Sequence, residues 1–391
     1  MSKALVVGGN SGIGLAITQK LLIQGYEHVY IVGKDMYSDD DITAYPLDDF
    51  KKNTSFFGVN LINEEYGVFD TIDDIDTLII TAGFGRITTF EELTEPEISN
   101  LIKCNFLAPT RIIKHYYDRI KSDKPFYCAV MGSIAGHLVS PLFSVYGASK
   151  MGLCGFIENI NSELIHDGFE NRILDVSPGS IKGTNFSGEG NNLSLTYGLA
   201  EEILEKMYAK EILYIPNYEE VYKGVIERYR ADAMKYGIES YDYKIKTRGV
   251  SGKPQVVVGY LSGTFDLFHI GHLNLLRRAK AQCDYLIVGV HKSGAWKGKE
   301  TFIPFEERAE IVRNIKYADE VIESFTEDSD AYDALGFDKL FVGSDYKGSE
   351  RFLRYEQYFA DKGVEIVYFP YTQGTSSTKL RAAISGEKKK D

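Results

Sequence analysis

Ala4-Leu5-Val6-Val7-Gly8-Gly9-Asn10-Ser11-Gly12-Ile13-Gly14 is the stretch whose reading decides the fold. An apolar run breaks into clustered glycines, and apolar residues then return at Leu15, Ile17, Leu21 and Leu22. That is the pattern of a buried strand, a tight turn and a helix. Glycines at 8, 12 and 14 permit backbone angles and close approaches that side chains forbid. A pyrophosphate could then lie against the helix N-terminus, where N–H groups and the helix dipole favour an anion. A glycine-rich turn without a ligand is the bland alternative.

Working outward, the next strand, expected over His28 to Val32, ends in Gly33-Lys34-Asp35. An acidic side chain at that position suits a ribose hydroxyl and a basic one suits a 2′-phosphate, so Lys34 points to the phosphorylated dinucleotide while Asp35 keeps the other open. Further strands are expected at Ser55 to Asn60, Thr77 to Thr81 and Phe126 to Met131, each followed by small or polar residues. Strands alternating with helices imply a parallel, doubly wound α/β sheet.

Tyr146 and Lys150 are four apart and share a face if they lie on a helix. An ammonium there can lower the phenol pKa and hold a ribose, making the phenol a general acid for a carbonyl, which Ser133 would orient. Singly, each of the three is an ordinary loop, packed or solvated residue. With the glycine turn they form a set.

This set resembles the short-chain dehydrogenase/reductase family over roughly residues 1 to 240. Gly8, Gly12 and Gly14 match its glycine motif, with Val7 where a threonine is usual; Thr81-Ala82-Gly83 matches its Asn-Ala-Gly element, with Thr81 replacing the asparagine. Asn105, Ser133, Tyr146 and Lys150 match its catalytic tetrad, and Pro178-Gly179 through Thr184 its nicotinamide-side segment. The resemblance implies a reductase using NADPH, with NADH open. Gly8, Asn10, Ser11, Gly12, Ile13, Gly14, Lys34, Asn60, Ala82, Gly83, Pro178, Gly179 and Thr184 would hold the cofactor. Asn185 to about Lys210 falls where the family varies its substrate lid; a mobile lid and an ordinary surface helix are both open there.

The 391 residues exceed what one hydrophobic core supports, so two domains are expected. Lys plus Arg number 44 against 56 Asp plus Glu, a net charge of -12, which argues against nucleic acid as partner. No signal peptide is visible, and no apolar run reaches the ~18 residues of a membrane span. Cys104, Cys128, Cys154 and Cys283 lack metal-ligand spacing, so reduced thiols and a cytoplasmic location are expected.

Glu219 to Met234 reads as an amphipathic helix, and Lys235 to Pro254 as polar and irregular, so the domain join is drawn at 245: residues 1–245 and 246–391. A second α/β alternation then begins, with strands expected at Val256 to Leu261, Tyr285 to Val290, Lys339 to Val342 and Val364 to Phe369. Gly263-Thr264-Phe265-Asp266-Leu267-Phe268-His269-Ile270-Gly271-His272 follows the first of them and sets two imidazoles on one face at a helix start. Lys297 and Lys299 offer cations, Gly343-Ser344-Asp345 follows a strand, and Thr375-Ser376-Ser377-Thr378 precedes the last helix. In isolation the lysines read as a solvated loop and the hydroxyls as an N-cap. A zinc site on the histidines lacks a third ligand at matching spacing.

Residues 255 to 385 resemble the nucleotidylyltransferase superfamily, most closely its glycerol-3-phosphate cytidylyltransferase branch. His269-Ile270-Gly271-His272 fits the His-x-Gly-His signature, Lys297 and Lys299 the phosphate-binding lysines, Phe305 to Arg308 the following helix, and Thr375 to Thr378 the branch's Ile-Ser-Thr-Thr signature. Tyr371 stands where the branch has an arginine, which leaves ATP open beside CTP. The resemblance implies that Gly263, Thr264, Phe265, His269, His272, Lys297, Lys299, Gly343, Asp345 and Thr375, Ser376, Ser377 and Thr378 bind nucleotide. Arg308 would meet the acceptor phosphate and Asp266 a Mg²⁺ ion. Both families commonly form dimers or tetramers, so a homo-oligomer is expected.

The fusion implies a reductase that makes a polyol phosphate from a keto-sugar phosphate, a pentulose 5-phosphate first among candidates, and a cytidylyltransferase that activates it as a CDP-polyol for a capsule or teichoic-acid-like polymer. Fructose 6-phosphate and three-carbon substrates stay open. The rivals are a dehydrogenase acting on an unrelated metabolite, a non-catalytic dinucleotide sensor, and a nucleotide-binding interaction protein without turnover.

Overall fold

Alternation along one strand sets up two layers of core. In β1 (Lys3–Val7) the side chains of Ala4 and Val6 pack with Leu15, Ile17 and Ile203, while Leu5 and Val7 pack with Leu78, Ile112 and Leu153. The side chains from Ala4 to Val7 are all fully buried, so this strand is covered on both faces, as central parallel strands are. The computed structural model describes residues 2–184, 186, 191–248, 256–293, 300–370 and 380–381.

Beside β1 lie β2 (His28–Gly33), β3 (Thr54–Gly58), β4 (Thr77–Ile80), β5 (Tyr127–Met131), β6 (Ile173–Val176) and β7 (Leu213–Tyr214). Every pairing is parallel and the order is β3-β2-β1-β4-β5-β6-β7. The order reverses between β1 and β4, where ligands of open α/β sheets bind outside the strand ends. The helices are α1 (Gly12–Ile23), α2 (Leu47–Asn53), α3 (Glu95–Ile102), α4 (Ala108–His115), the single turn α5 (Tyr117–Ile120), α6 (Ser144–His166), α7 (Tyr197–Tyr208), α8 (Lys223–Ala231) and α9 (Ala233–Arg248).

Three departures from expectation have local causes. The amphipathic run after 192 is α7, and Ala200, Ile203, Leu204 and Met207 bury its apolar face in the core beside α1, so this part is a packed helix and not a lid. The helix expected over 219–234 breaks at Asp232, whose extended backbone and acceptance of the Lys235 N–H on Oδ1 start a second helix. The supposedly irregular stretch is thus helical to Arg248. The chain divides into two compact units, Met1–Pro254 and Gln255–Asp391, and a join at 245 falls inside α9.

The second unit holds β8 (Val258–Gly263), β9 (Tyr285–Val290), β10 (Glu320–Glu323), β11 (Lys339–Gly343) and β12 (Glu365–Phe369), all parallel in the order β10-β9-β8-β11-β12. Its helices are α10 (Ile270–Lys280), α11 (Phe305–Arg313), α12 (Asp328–Leu335) and α13 (Glu350–Phe359). Leu261 faces one core and Tyr260 the other. The reversal between β8 and β11 puts Gly263 to His272 at the switch point. No helix among the described residues is long and apolar enough to cross a membrane.

Candidate functional site

At the end of β1 the glycine turn closes on itself. Gly8 and Gly12 have φ of +87° and +50°, a region that L side chains rarely adopt. A Cβ on Gly14 would overlap the Gly8 carbonyl oxygen and Thr81 Oγ1. Thr81 Oγ1 donates toward the Val7 and Gly8 carbonyls, each at 3.2 Å, so the residue replacing the usual asparagine latches the turn to β4. Asn10 packs where a Cβ on Gly33 would stand, and Thr184 lies beside Gly12. Ser11 is the extended N-cap of α1, and Ile13 follows inside it.

The N-terminus of α1 already holds an oxygen. The Gly12 N–H donates to Asn191 Oδ1 at 3.2 Å, and Asn191 Nδ2 donates to Asp41 at 3.1 Å. A helix start that takes an amide oxygen is suited to a pyrophosphate oxygen, so the residues fit a dinucleotide. Lys34 is exposed just beyond β2. Asn60 instead caps a short 3₁₀ turn, its Oδ1 accepting from the Ile62 N–H at 3.3 Å. Ala82 and Gly83 follow β4 directly, and Ala82 N–H donates to the Val7 carbonyl at 3.1 Å.

The four residues matched to the tetrad are all buried around one point. Asn105 sits in a π-helical turn, Lys103–Leu107, between α3 and α4; such bulges are frequent at functional sites. Its side chain accepts from Phe84 N–H at 3.0 Å and donates to the Phe84 carbonyl at 2.8 Å. A Cβ on Gly83 would stand 3.0 Å from Asn105 Oδ1 and 3.4 Å from Lys150 Nζ, so Gly83 brings these two together. The Lys150 ammonium donates to the Met131 carbonyl at 2.7 Å and lies 6.0 Å from the centre of the Tyr146 ring.

Burial pushes the Tyr146 phenol up to about 12, against a smaller lowering by its hydrogen bond with Ser133. Burial also holds the Lys150 ammonium below the usual lysine value. Desolvation dominates, and the hydrogen-bonding partner is Ser133. A phenol this weak stays protonated, which suits a proton donor.

Behind Ser133 lies a cluster the sequence reading missed. His137 Nε2, Asp175 and Cys154 offer donor atoms within 4.8 Å of one another. Ser177 Oγ fills their centre, 2.7 Å from Asp175 Oδ1, 3.0 Å from His137 Nε2 and 3.6 Å from Cys154 Sγ, and it accepts the Ser133 N–H at 3.1 Å. With a hydroxyl in that position the group is a hydrogen-bond network that fixes the Ser133 backbone, and not a cation site. The available signal was an aspartate inside the apolar run Ile173 to Val176. Pro178 accepts the Ile134 N–H at 2.9 Å, and the Tyr222 phenol lies against Gly179.

In the second unit the turn after β8 is strained. Phe265 and Leu267 have φ of 52° and 50°, left-handed values for large side chains. A Cβ on Gly263 would stand 2.9 Å from the buried Phe265 ring. The two left-handed residues redirect the chain so that His269 caps α10, with Nδ1 accepting from Gly271 N–H at 3.0 Å. Burial lowers the His269 pKa. Phe265 and Phe268 each pack 5.4 Å from the His272 ring. No sequence signal marks Phe265 and Leu267 as left-handed. Across the switch point, Asp345 Oδ1 lies against Gly343, where any Cβ would collide with it.

Two residues expected to meet ligands have protein partners. Arg308 is fully buried and directs its donors at the carbonyls of Ile303 (2.8 Å), His291 (2.8 Å), Lys292 (3.0 Å) and Thr264, so it ties loops together. Asp266, also buried, accepts from the N–H groups of Phe302 and Ile303 and from Arg381, so its oxygens serve these donors. Lys297, Lys299, Tyr371 and Thr375 to Thr378 lie outside the described residues.

The short chain dehydrogenase family model matches residues 2–192, and the cytidylyltransferase-like family model matches residues 260–383. The second unit is 36% identical over 128 residues to glycerol-3-phosphate cytidylyltransferase of Bacillus subtilis (strain 168), covering 32% of this chain and 94% of that protein. The first is 26% identical over 215 residues to a 3-oxoacyl-acyl-carrier-protein reductase of Buchnera aphidicola, 53% of this chain and 84% of that protein. A solved short-chain dehydrogenase from Streptomyces avermitilis superposes with a TM-score of 0.50 at 20% identity, covering 62% of this chain and 98% of that one, a likeness of fold alone. The chain belongs to the cytidylyltransferase-like family through its second unit and carries a short-chain dehydrogenase unit before it. It is a fusion of an oxidoreductase with a nucleotidyltransferase.

Proposed function

We propose that the first unit reduces a keto-sugar phosphate, a pentulose 5-phosphate foremost, with NADPH. The second unit then transfers CMP from CTP to the polyol phosphate, releasing pyrophosphate and a CDP-polyol for cell-surface polymer synthesis. The observation that carries this reading is the union, in one chain, of a short-chain dehydrogenase unit with a unit that matches nearly the whole of a glycerol-3-phosphate cytidylyltransferase.

In the first unit a dinucleotide, when bound, would supply the hydride. Tyr146 gives its proton to the carbonyl oxygen, Ser133 orients that oxygen, and Lys150, 6.0 Å from the Tyr146 ring, would with Asn105 help to hold the dinucleotide. In the second, an oxygen of the acceptor phosphate forms a bond to the α-phosphorus of CTP while the bond to the β-phosphate oxygen breaks. His269 and His272 stabilise the charge that develops on the transferring and leaving groups. Mg²⁺ is expected to accompany the nucleotide, and no step is assigned to it.

The test is one incubation of the full chain with NADPH, CTP, Mg²⁺ and a panel of ketose phosphates, followed by mass spectrometry. A CDP-polyol two hydrogens heavier than the CDP-ketose, formed only with both NADPH and CTP, is the expected product. NADPH oxidation on unphosphorylated ketones alone would overturn the reading.

A further inference from the structure

We propose that Lys244 selects anionic ketones for the first unit by receiving the phosphate group of a substrate whose carbonyl is held at Ser133 and Tyr146. This rests on the reading of the first unit as a ketose-phosphate reductase and names a specificity-determining residue within it.

The helix α9 lies close along the loop between β5 and α6. A Cβ on Gly237 would stand 3.5 Å from Val139 Cγ2 and 4.0 Å from Pro141 Cγ, so the helix backbone runs within van der Waals reach of the loop. Lys244 is two turns further on the same face. Its ammonium reaches the loop, donating to Ser140 Oγ at 2.7 Å and the Pro141 carbonyl at 2.8 Å.

From there an aromatic wall leads to the phenol. Lys244 Nζ is 5.4 Å from the centre of the Phe143 ring, and that ring is 5.2 Å from Tyr146. Phe186 stacks on Phe143 at 6.4 Å and lies tilted against Tyr146 at 5.4 Å. The loop is pinned, since the Thr88 N–H donates to the carbonyl of Leu142, whose φ is +66°. A cation at one end of an aromatic wall and a proton donor at the other match a molecule with a phosphate at one end and a carbonyl a few carbons away.

Two other cations near Tyr146 are directed elsewhere. Arg86 is locked into an ion pair with Glu97, their side chains 7% and 4% exposed, and also donates to the Glu92 carbonyl. Lys150 is buried against Met131. In a chain with a net charge of -12, a dianionic substrate needs a local cation at the mouth of the site.

The bland alternative is that Lys244 only clamps the loop through Ser140 and Pro141, and the test separates the two. Reduction of a pentulose 5-phosphate and of the free pentulose is measured for the full chain and its K244M and K244R variants, with inorganic phosphate as competitor. In the wild-type chain the phosphorylated sugar is expected to have the lower KM, and phosphate to compete with it. K244M should cut the preference for phosphorylated over free sugar by about tenfold to a hundredfold, through KM. K244R should restore most of it, and phosphate inhibition should weaken in K244M.

Equal loss on both sugars, or an unchanged ratio, makes Lys244 a loop clamp and overturns the proposal. Should K244M fail to fold, phosphate competition in the wild type together with the K244R ratio still decides: no competition overturns it. A wild-type chain that reduces only the free sugar, or neither, overturns the ketose-phosphate reading itself, which is a distinguishable result.

Discussion

The rings of His269 and His272 stack with centroids 4.0 Å apart and planes 21° from parallel. Two imidazoles that close do not both carry charge cheaply, and burial lowers the His269 pKa. Nδ1 of His269 accepts the Gly271 N–H, so the neutral ring with its proton on Nε2 is the form that caps α10.

A pH dependence of stability follows. The folded pKa of His269 lies below its unfolded value of about 6.5, so the unfolded chain takes up this proton first as the pH falls. The stability it contributes is fully present above that value and is lost as pH drops through the folded pKa. The thermal stability of the second unit should fall as the pH drops below about 6.5. His269→Asn, which keeps a capping acceptor, should flatten that part of the profile. Equal slopes in the two proteins would refute the assignment.

The Tyr146 phenol makes a second prediction. With its pKa pushed up to about 12 by burial, the ligand-free protein should show no tyrosinate absorbance from this residue below about pH 11. The difference titration at 295 nm between the wild type and Tyr146→Phe should therefore be flat to that point. The same variant should lose about a hundredfold or more of reductase turnover while still quenching dinucleotide fluorescence on binding. Retained turnover would remove Tyr146 from its proposed role.

What could be read from the sequence follows the range of each interaction. Both doubly wound sheets were legible because β1 and β8 are short apolar runs ended by glycines, a local pattern with one structural solution. The edge strands β7 and β10 were not, because two to four residues paired on one side carry too little pattern to distinguish from loop. Asn105, Ser133, Tyr146 and Lys150 were named together by the resemblance to the short-chain dehydrogenase/reductase family, and all four are buried. The Thr81 latch, the Asn191 contact with Gly12 and the Ser177 network join segments 73, 179 and 44 residues apart, and no local pattern encodes such partners. The backbone partners of Arg308 and Asp266 were hidden for the same reason, since they too lie on distant segments.

Arg308 supplies the third prediction. Its donors satisfy four carbonyls on three segments, so Arg308→Lys keeps the charge but loses the planar fork. Several carbonyls would be left without donors, at about 1–3 kcal/mol each. The melting temperature of the second unit should fall by several degrees. A residue that merely bound the acceptor phosphate would instead raise KM for the polyol phosphate and leave the melting temperature in place.

Asp266 and Arg381 act as a pair, and the pair can be separated from a metal site. The Asp266 carboxylate accepts the Phe302 and Ile303 N–H groups at 3.1 and 3.0 Å as well as the Arg381 guanidinium, which also donates to the Glu300 carbonyl at 2.6 Å. The carboxylate thereby joins the strained turn after β8 to residues 300–303 and to Arg381, three positions past the hydroxyl run that ends at Thr378. Asp266→Asn should cost about 3–5 kcal/mol of stability, the usual penalty for stripping one partner from a buried ion pair. It should also raise KM for CTP. Because both residues serve one link, Arg381→Ala should do much the same, and the double variant should be little worse than either single one. The Mg²⁺ concentration giving half-maximal pyrophosphate release should not move in any of the three. A metal ligand would behave in the opposite way: Asp266→Asn would shift the Mg²⁺ midpoint upward, Arg381→Ala would not, and the two losses would add.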